Sequence, residues 1–460
     1  MTAADVQTLQ ARRKALLDTY GVRAPRYTSY PTAVQFTPAV NAEVYGQWLA
    51  ELPPGEAVSL YVHIPFCRRL CWYCGCNTRV VNGGAAISRY VSRLGEELAL
   101  AQARLPGRMQ ASQIHLGGGT PNTLSVDDLA VLFGSLRRVF EVSDAAEISA
   151  EIDPVVFNES WARAAVGHGL TRVSLGVQDL TPAVQRAVNR NEPFSVIVDA
   201  VRVLRGLGVP SVNFDVMYGL PRQGVADVLN TLDQLLTLRP DRLALFGYAH
   251  VPWMKSHQKL INDDELPDAV ERLDQSEASA ERLVAEGYVR IGLDHFALPG
   301  DSLAVAAEGG RVMRNFQGYG ASGPETLLGF GASAISQMRQ GMVQNQTAEL
   351  AWGHALDKGV LPTARGVALT AEDRLRGEVI ERLMCEFRVD LAEVTAAHGF
   401  PAGFLSGADA TLAVLEADGL VARSGSEITV SLLGRPYVRA VCAAFDAYLE
   451  PSARRHALAV

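Results

Sequence analysis

Outside one ten-residue window, the 460-residue chain holds only two cysteines, Cys385 and Cys442, too few for the disulfide framework of a small secreted domain. Positive charge is not in excess either. The 42 Lys and Arg against 50 Asp and Glu leave a formal net charge of −8, which argues against nucleic acid as a partner. No stretch is both uncharged and long enough to span a bilayer, and MTAADVQTLQARRKALLDTYG lacks the apolar core of a secretory signal. No membrane role is expected, and the expected location is the cytoplasm. Neither a GxGxxG fingerprint nor a Walker lysine is present, which removes two common phosphate-cradling loops. Internal repeats and low-complexity tracts are also missing. The remaining composition, 48% hydrophobic and 20% charged, is that of an ordinary globular enzyme.

What is present is HIPFCRRLCWYCGCNT, residues 63–78, with Cys67, Cys71, Cys74 and Cys76. In a reducing compartment, clustered cysteines are more often metal or redox ligands than disulfides. Tetrahedral zinc sites usually join two C-x2-C pairs across a dozen or more residues. Here C-x3-C-x2-C lies within a single loop. Thiolates also suit iron–sulfur clusters, and three of them on a four-iron cube leave one iron open for chemistry. A four-thiolate zinc knuckle using Cys76 is the alternative. Phe66, Trp72 and Tyr73 would shield such a cluster from water. Cys385 and Cys442 read as buried apolar residues.

The first fifty residues read as an arm, a polar helix followed by RAPRYTSYPTAVQF, where Pro25 and Pro31 forbid a continuous helix. Beyond it, short β-branched runs alternate with helix-length amphipathic stretches. Strands are expected at 58–64, 112–118, 147–153, 172–178, 211–219 and 242–249. Helices are expected at 87–105, at 125–140 with Ser125 as N-cap, and at 194–208 stopping on Gly208. Six such alternations predict an α/β fold with a buried parallel sheet, as an open or closed (β/α) barrel, with a doubly wound sheet as the second choice. The expected division is an arm at 1–52, a catalytic barrel with its extension at 53–340, and a mostly helical C-terminal domain at 341–460. In that domain the helices start near Leu369 and are interrupted by one hairpin, EITVS. Chemistry in such folds gathers at the C-terminal strand ends. Those ends carry the cysteines, Gly117-Gly118-Gly119-Thr120-Pro121, Glu151 and Asp153, Gln178 and Asp179, Asp215, and Tyr248 and His250. Singly, each of these reads equally well as a satisfied loop cap; together they mark one edge of the sheet.

CRRLCWYC resembles the C-x3-C-x2-C motif of the radical S-adenosylmethionine (SAM) superfamily. The wider context resembles the oxygen-independent coproporphyrinogen III oxidases (coproporphyrinogen III dehydrogenases). The matching stretches are RYTSYPTA (26–33), LYVHIPFC (60–67), CGC (74–76), HLGGGTP (115–121), SLGVQD (174–179), FDVMYGLP (214–221), GYAH (247–250), IGLDHFALP (291–299) and NFQGY (315–319). The resemblance implies a partial (β/α)6 TIM-like barrel and a [4Fe–4S] cluster on Cys67, Cys71 and Cys74, with SAM on the open iron. It implies that Tyr61, Gly118, Glu151 and Ile335 line that SAM. A second SAM would touch Tyr73, Gly119, Thr120, Gln178, Arg190, Asp215 and Ala249. Tyr61 and the three cysteines are the expected catalytic set. The implied reaction converts the ring A and B propionates of coproporphyrinogen III to vinyl groups through a 5′-deoxyadenosyl radical, giving protoporphyrinogen IX. A low-potential donor such as flavodoxin or ferredoxin and a monomeric state are implied with it. Acidic groups such as Asp215 would repel the propionates, so Arg26 and Arg314 are candidates to meet them. Another radical SAM reaction related to haem, or a haem-trafficking role, would use the same fold. Cys76 is not expected to ligate.

Overall fold

The computed structural model describes residues 3–21, 24–321 and 323–449, with side chains from residue 11 onward. The outermost ends of the expected arm and C-terminal domain, residues 1–2 and 450–460, lie outside the described residues, as do 22–23 and 322.

Six parallel strands form the heart of the molecule: β1 (Ala57–Ile64), β2 (Gln110–Gly118), β3 (Glu141–Ile152), β4 (Leu170–Gln178), β5 (Ser211–Tyr218) and β6 (Arg242–Gly247). They lie side by side in chain order and in parallel pairing throughout. A doubly wound sheet reverses its strand order part-way, so the unbroken order selects the partial barrel. The sheet continues past β6 to β7 (Val289–Ile291) and β8 (His295–Ala297), in the order β6-β8-β7. On the other side β9 (Leu327–Phe330) pairs parallel with β1, and β10 (Ile335–Met338), β11 (Gly341–Asn345) and β12 (Thr363–Ala368) follow in antiparallel pairing. Twelve strands thus make an open sheet that does not close on itself.

Burial explains the strands. Leu60, Val62, Ile114, Leu116, Val173, Leu175, Phe214 and Val216 are all buried, as expected where helices cover a parallel sheet. Each contributes on the order of 1.5–3 kcal/mol relative to exposure. The expected helices form at Gly84–Gln102, Val126–Val139 and Phe194–Gly206. Ser125 starts the second with a reciprocal cap: its Oγ accepts from Asp128 N at 3.1 Å, and Asp128 Oδ2 accepts from Ser125 N at 3.0 Å. Gly208, at φ +81°, takes the left-handed turn that ends the third.

The boundary placed at residue 341 needs correction. β11 and β12 hydrogen-bond into the main sheet, and Thr37 of the arm bridges to Gly366 on β12. The separate unit begins with the helix Ala371–Glu386. Its hairpin, Val421–Ser424 with Glu427–Val430, gains a third strand, Arg388–Asp390. Its core contains Leu375, Leu383, Leu412 and Phe445, joined by Leu16, Leu17, Tyr20, Tyr27 and Tyr30 of the arm. Arm and C-terminal domain therefore share one core. Cys385 and Cys442 are both buried.

Candidate active site

β1 ends at Ile64 and runs straight into the cysteine loop. Phe66–Cys67 pairs with Arg79–Val80, which closes the loop on itself, and Cys74 N donates to Cys71 O at 3.1 Å. Its outer side is pinned by one segment: His257 Nε2 to Cys74 O at 2.8 Å, Lys255 Nζ to Cys76 O at 3.0 Å, and Gln258 Nε2 to Tyr73 O at 2.9 Å. The glycine turn after β2 lies against the loop's inner side. Gly119 N donates to Ile64 O and Thr120 N to Phe66 O, both at 2.8 Å. A Cβ at position 119 would stand 2.7 Å from Phe66 O, so only glycine allows this approach.

A cavity of ≈ 620 Å3 opens above these strand ends. Cys67, Cys71 and Cys74 line it together with Tyr73, Gly118, Gly119, Thr120, Glu151, Gln178, Arg190, Asp215 and Ala249. Tyr61 and Ile335 are not among the lining residues. Tyr61 stacks on His115 behind the glycine turn and hydrogen-bonds His63 Nδ1 at 2.9 Å. Ile335 opens β10, and its carbonyl lies where a Cβ on Gly329 would be; Gly329 is in turn paired with Tyr61. These two residues therefore sit together at the β9 side of the sheet.

The donor set fits an iron–sulfur cluster. Thr120 Oγ1 donates to Cys67 Sγ at 3.4 Å, and Arg190 Nη1 donates to Cys71 Sγ at 3.5 Å. Both contacts favour sulfur in its anionic form. Burial pushes the Cys67 thiol up to about 11, with the Thr120 bond opposing it. A hydrogen bond from Cys76 pulls Cys74 down to about 6 against its burial. Cys76 itself is an exposed residue, and its thiol is pushed well up, first by its neighbour Cys74 and then by burial. Among the described residues, no three His, Cys, Asp or Glu side chains converge on a single ion. A cubane instead takes its thiolates one per iron.

Carboxylates complete this end. Glu151 Oε2 accepts from Gly118 N at 3.0 Å, and Oε1 from His115 Nε2 at 3.3 Å. Burial acts to raise its pKa, but His115 and the Gly118 amide outweigh that and hold it below the ordinary range. Asp215, which accepts from Ser174 and Asn213, is pushed up to about 6 by burial and by the charge of Glu151. Gln178 takes φ +70° at a bulge in the β4–β5 pairing, where its amide lies over Gly176. Arg190 is buried between Gly176 O, Asp153 and Glu192, the last at 3.0 Å. Asp179, by contrast, faces Gln223, Thr181 and Thr231 and caps the framework.

The radical SAM superfamily model matches residues 61–235. A curated oxygen-independent coproporphyrinogen III oxidase from Bradyrhizobium diazoefficiens is 46% identical over 97% of this chain and 100% of its own length. The chain belongs to the oxygen-independent coproporphyrinogen III oxidase family. A second member, from Paracoccus denitrificans, is 41% identical over 99% of this chain and all of that one. The solved coproporphyrinogen III oxidase of Escherichia coli, described as a radical SAM enzyme, superposes with a TM-score of 0.88 at 37% identity, covering 92% of this chain and 98% of that one. The far end of the cavity is lined by Arg26 and Arg314, the two expected arginines, and also by Arg272, Arg290 and Arg439, which sequence reasoning missed. No motif ties those three to the cysteine loop. No helix among the described residues is long and apolar enough to cross a membrane.

Proposed function

We propose that the chain catalyses oxygen-independent oxidative decarboxylation of coproporphyrinogen III, turning its ring A and B propionates into vinyl groups. The observation that carries this reading is the single cavity in which Cys67, Cys71 and Cys74 meet nine other residues that the family resemblance assigns to SAM. A [4Fe–4S] cluster with SAM on its open iron supplies one-electron cleavage of a sulfonium bond, and so a hydrogen-abstracting carbon radical. Each conversion removes one hydrogen atom from the propionate β-carbon, and CO2 and one electron leave as the double bond forms.

The chain's own residues bind, orient and shield. Cys67, Cys71 and Cys74 hold the cluster, with Thr120 and Arg190 balancing the sulfur charge. Gly118 and Gly119 keep side chains out of the space beside it. Glu151, held below the ordinary carboxylate range, would supply a negative charge toward the SAM on the cluster, with Tyr61 and Ile335 behind that position. Tyr73, Gln178, Arg190, Asp215 and Ala249 would hold a second SAM, with Asp215 suited to hydroxyls or an ammonium. The protein works as a cytoplasmic monomer fed by flavodoxin or ferredoxin, since reducing a buried cluster of this kind needs a low-potential one-electron source.

Anaerobic incubation of reconstituted protein with SAM, a reductant and coproporphyrinogen III tests this. Protoporphyrinogen IX and CO2 are expected. SAM cleavage without CO2 would assign another radical SAM reaction, and haem binding without SAM cleavage a trafficking role.

A further inference from the structure

The end of the cavity away from the cysteines collects arginines from the whole length of the chain. Arg26 comes from the arm, Arg272 from the helix Ala269–Ala285, Arg290 from β7, Arg314 from the strand Met313–Asn315, and Arg439 from the helix Val438–Ala443. The lining carboxylate among them is Asp294, and it is already engaged by His295 Nδ1 at 2.7 Å.

Among the described contacts of these guanidinium groups, neutral carbonyls recur as hydrogen-bond acceptors, and Arg314 also lies 4.3 Å over the Tyr319 ring. Arg26 donates to Gly247 O at 3.1 Å, Arg272 to Tyr248 O at 2.9 Å, and Arg290 to Leu293 O at 3.4 Å. Arg314 donates to Tyr27 O at 3.3 Å and Arg26 O at 3.4 Å, and Arg439 to Ala24 O at 3.3 Å. The Nε atoms of Arg272 and Arg290 are buried with no hydrogen-bond partner, although Arg272 is only 9% exposed. Burial, and to a lesser degree Arg26, pull Arg272 below the ordinary guanidinium range. Burial, then Arg26 and Arg314, push Arg439 down to about 9. Two of the five, Arg272 and Arg439, are buried, while Arg314, against its own desolvation, is kept charged by Tyr319 and Asp294; the buried pair in particular leaves room for an anion to offset its desolvation.

We propose that this arginine cluster binds the carboxylates of a tetracarboxylate tetrapyrrole, and that the bound carboxylates clamp the arm and the C-terminal domain onto the barrel. Planar guanidinium forks match carboxylates bidentately, and several of them spread around a cavity suit a ligand with several carboxylates at its rim. Propionates held here leave the opposite edge of the macrocycle facing the cysteine end. The identity of the tetracarboxylate rests on the reaction proposed above; the clamp rests on the five chain segments that supply the arginines.

The test uses coproporphyrin III, the oxidised tetracarboxylate, and its neutral tetramethyl ester, titrated by fluorescence against the full chain. Wild type is expected to prefer the acid to the ester. Arg272→Gln and Arg439→Gln are each expected to weaken acid binding roughly 10- to 100-fold and to leave ester binding unchanged. Ligand-free melting temperatures of both variants are expected to hold or rise, because a repelled buried charge is removed. Arg26→Gln, on an exposed residue, gives the same readout should a buried variant not fold. Acid-over-ester preference that survives in all three variants would overturn the proposal. So would acid binding that does not raise the melting temperature of wild type. A chain that prefers the acid but never decarboxylates coproporphyrinogen III would sink the proposed reaction and leave this site standing. Turnover with an unchanged KM in Arg26→Gln and Arg272→Gln would do the reverse.

Discussion

The two ends of the cavity are built in opposite ways. At the cysteine end, neighbouring strands β1 to β5 each deliver a group from their C-terminal tips, and charges are paired: Arg190 with Glu192, Glu151 with His115. At the arginine end, segments distant in sequence deliver one charge each, and the guanidinium groups meet carbonyls. The first end already carries counter-charges from the protein itself; the second takes its counter-charges from its ligand. In this molecule the barrel provides reactive chemistry, and the arm, extension and C-terminal domain provide the hold on the substrate.

The contrast breaks most visibly through the thiols. Replacing Cys67, Cys71 or Cys74 by Ser is expected to drop reconstituted iron from about four atoms per chain to a small fraction of that and to abolish turnover. Cys76→Ser is expected to keep the iron, because three thiolates from Cys67, Cys71 and Cys74 already complete the protein's share of the ligands. Iron counting on all four variants decides this, and a Cys76 variant as empty as the others would end the open-iron reading.

Next in size is the pairing at the cysteine end. Arg190→Met leaves Glu192, whose side chain is 0% exposed, without its 3.0 Å partner. Removing one member of a buried pair typically costs about 3–5 kcal/mol, so urea unfolding is expected to show a loss of that order. A loss below about 1 kcal/mol would mean that Arg69, 3.3 Å from the same carboxylate, suffices.

At the other end, Arg26→Gln is expected to raise the KM for coproporphyrinogen about tenfold while sparing kcat, because it holds a carboxylate away from the reacting carbon. A fall in kcat at constant KM would place Arg26 in the chemical step.

The smallest effect concerns Asp215. With its carboxyl pushed up to about 6, it is charged above that pH and takes a proton as pH falls through it. SAM affinity is expected to weaken several-fold between pH 7.5 and 5.5 in wild type and to stay flat in Asp215→Asn. Parallel profiles in the two proteins would remove Asp215 from SAM binding.

Legibility in the sequence follows the same division. The six parallel strands were readable because burial on both faces favours near-continuous apolar runs, as in the LALF of RLALFG. The cysteine, glycine and acidic site residues were readable because each sits at the tip of such a run. β11 and β12 were not, since GMVQN and TARGVA mix glycine and polar residues within short strands, the second of them at the sheet's edge. Gly366 is needed there because a Cβ would stand 2.3 Å from Met342 O, a reason that no local pattern reveals. The arginine end was half legible: the RYTSYP and NFQGY stretches drew attention to Arg26 and Arg314. Arg272 looks like any helix-surface arginine, and Arg439 like any residue of a C-terminal helix. Only tertiary packing turns them inward, leaving them 9% and 6% exposed.

The central claim is that one cavity holds SAM at its cysteine end within reach of a propionate whose partners are held at the other. Coproporphyrinogen III deuterated at the propionate β-carbons tests it directly in anaerobic turnover. Deuterium recovered in 5′-deoxyadenosine, with CO2 released as vinyl groups form, is the predicted result. 5′-Deoxyadenosine free of deuterium while vinyl groups form would contradict it.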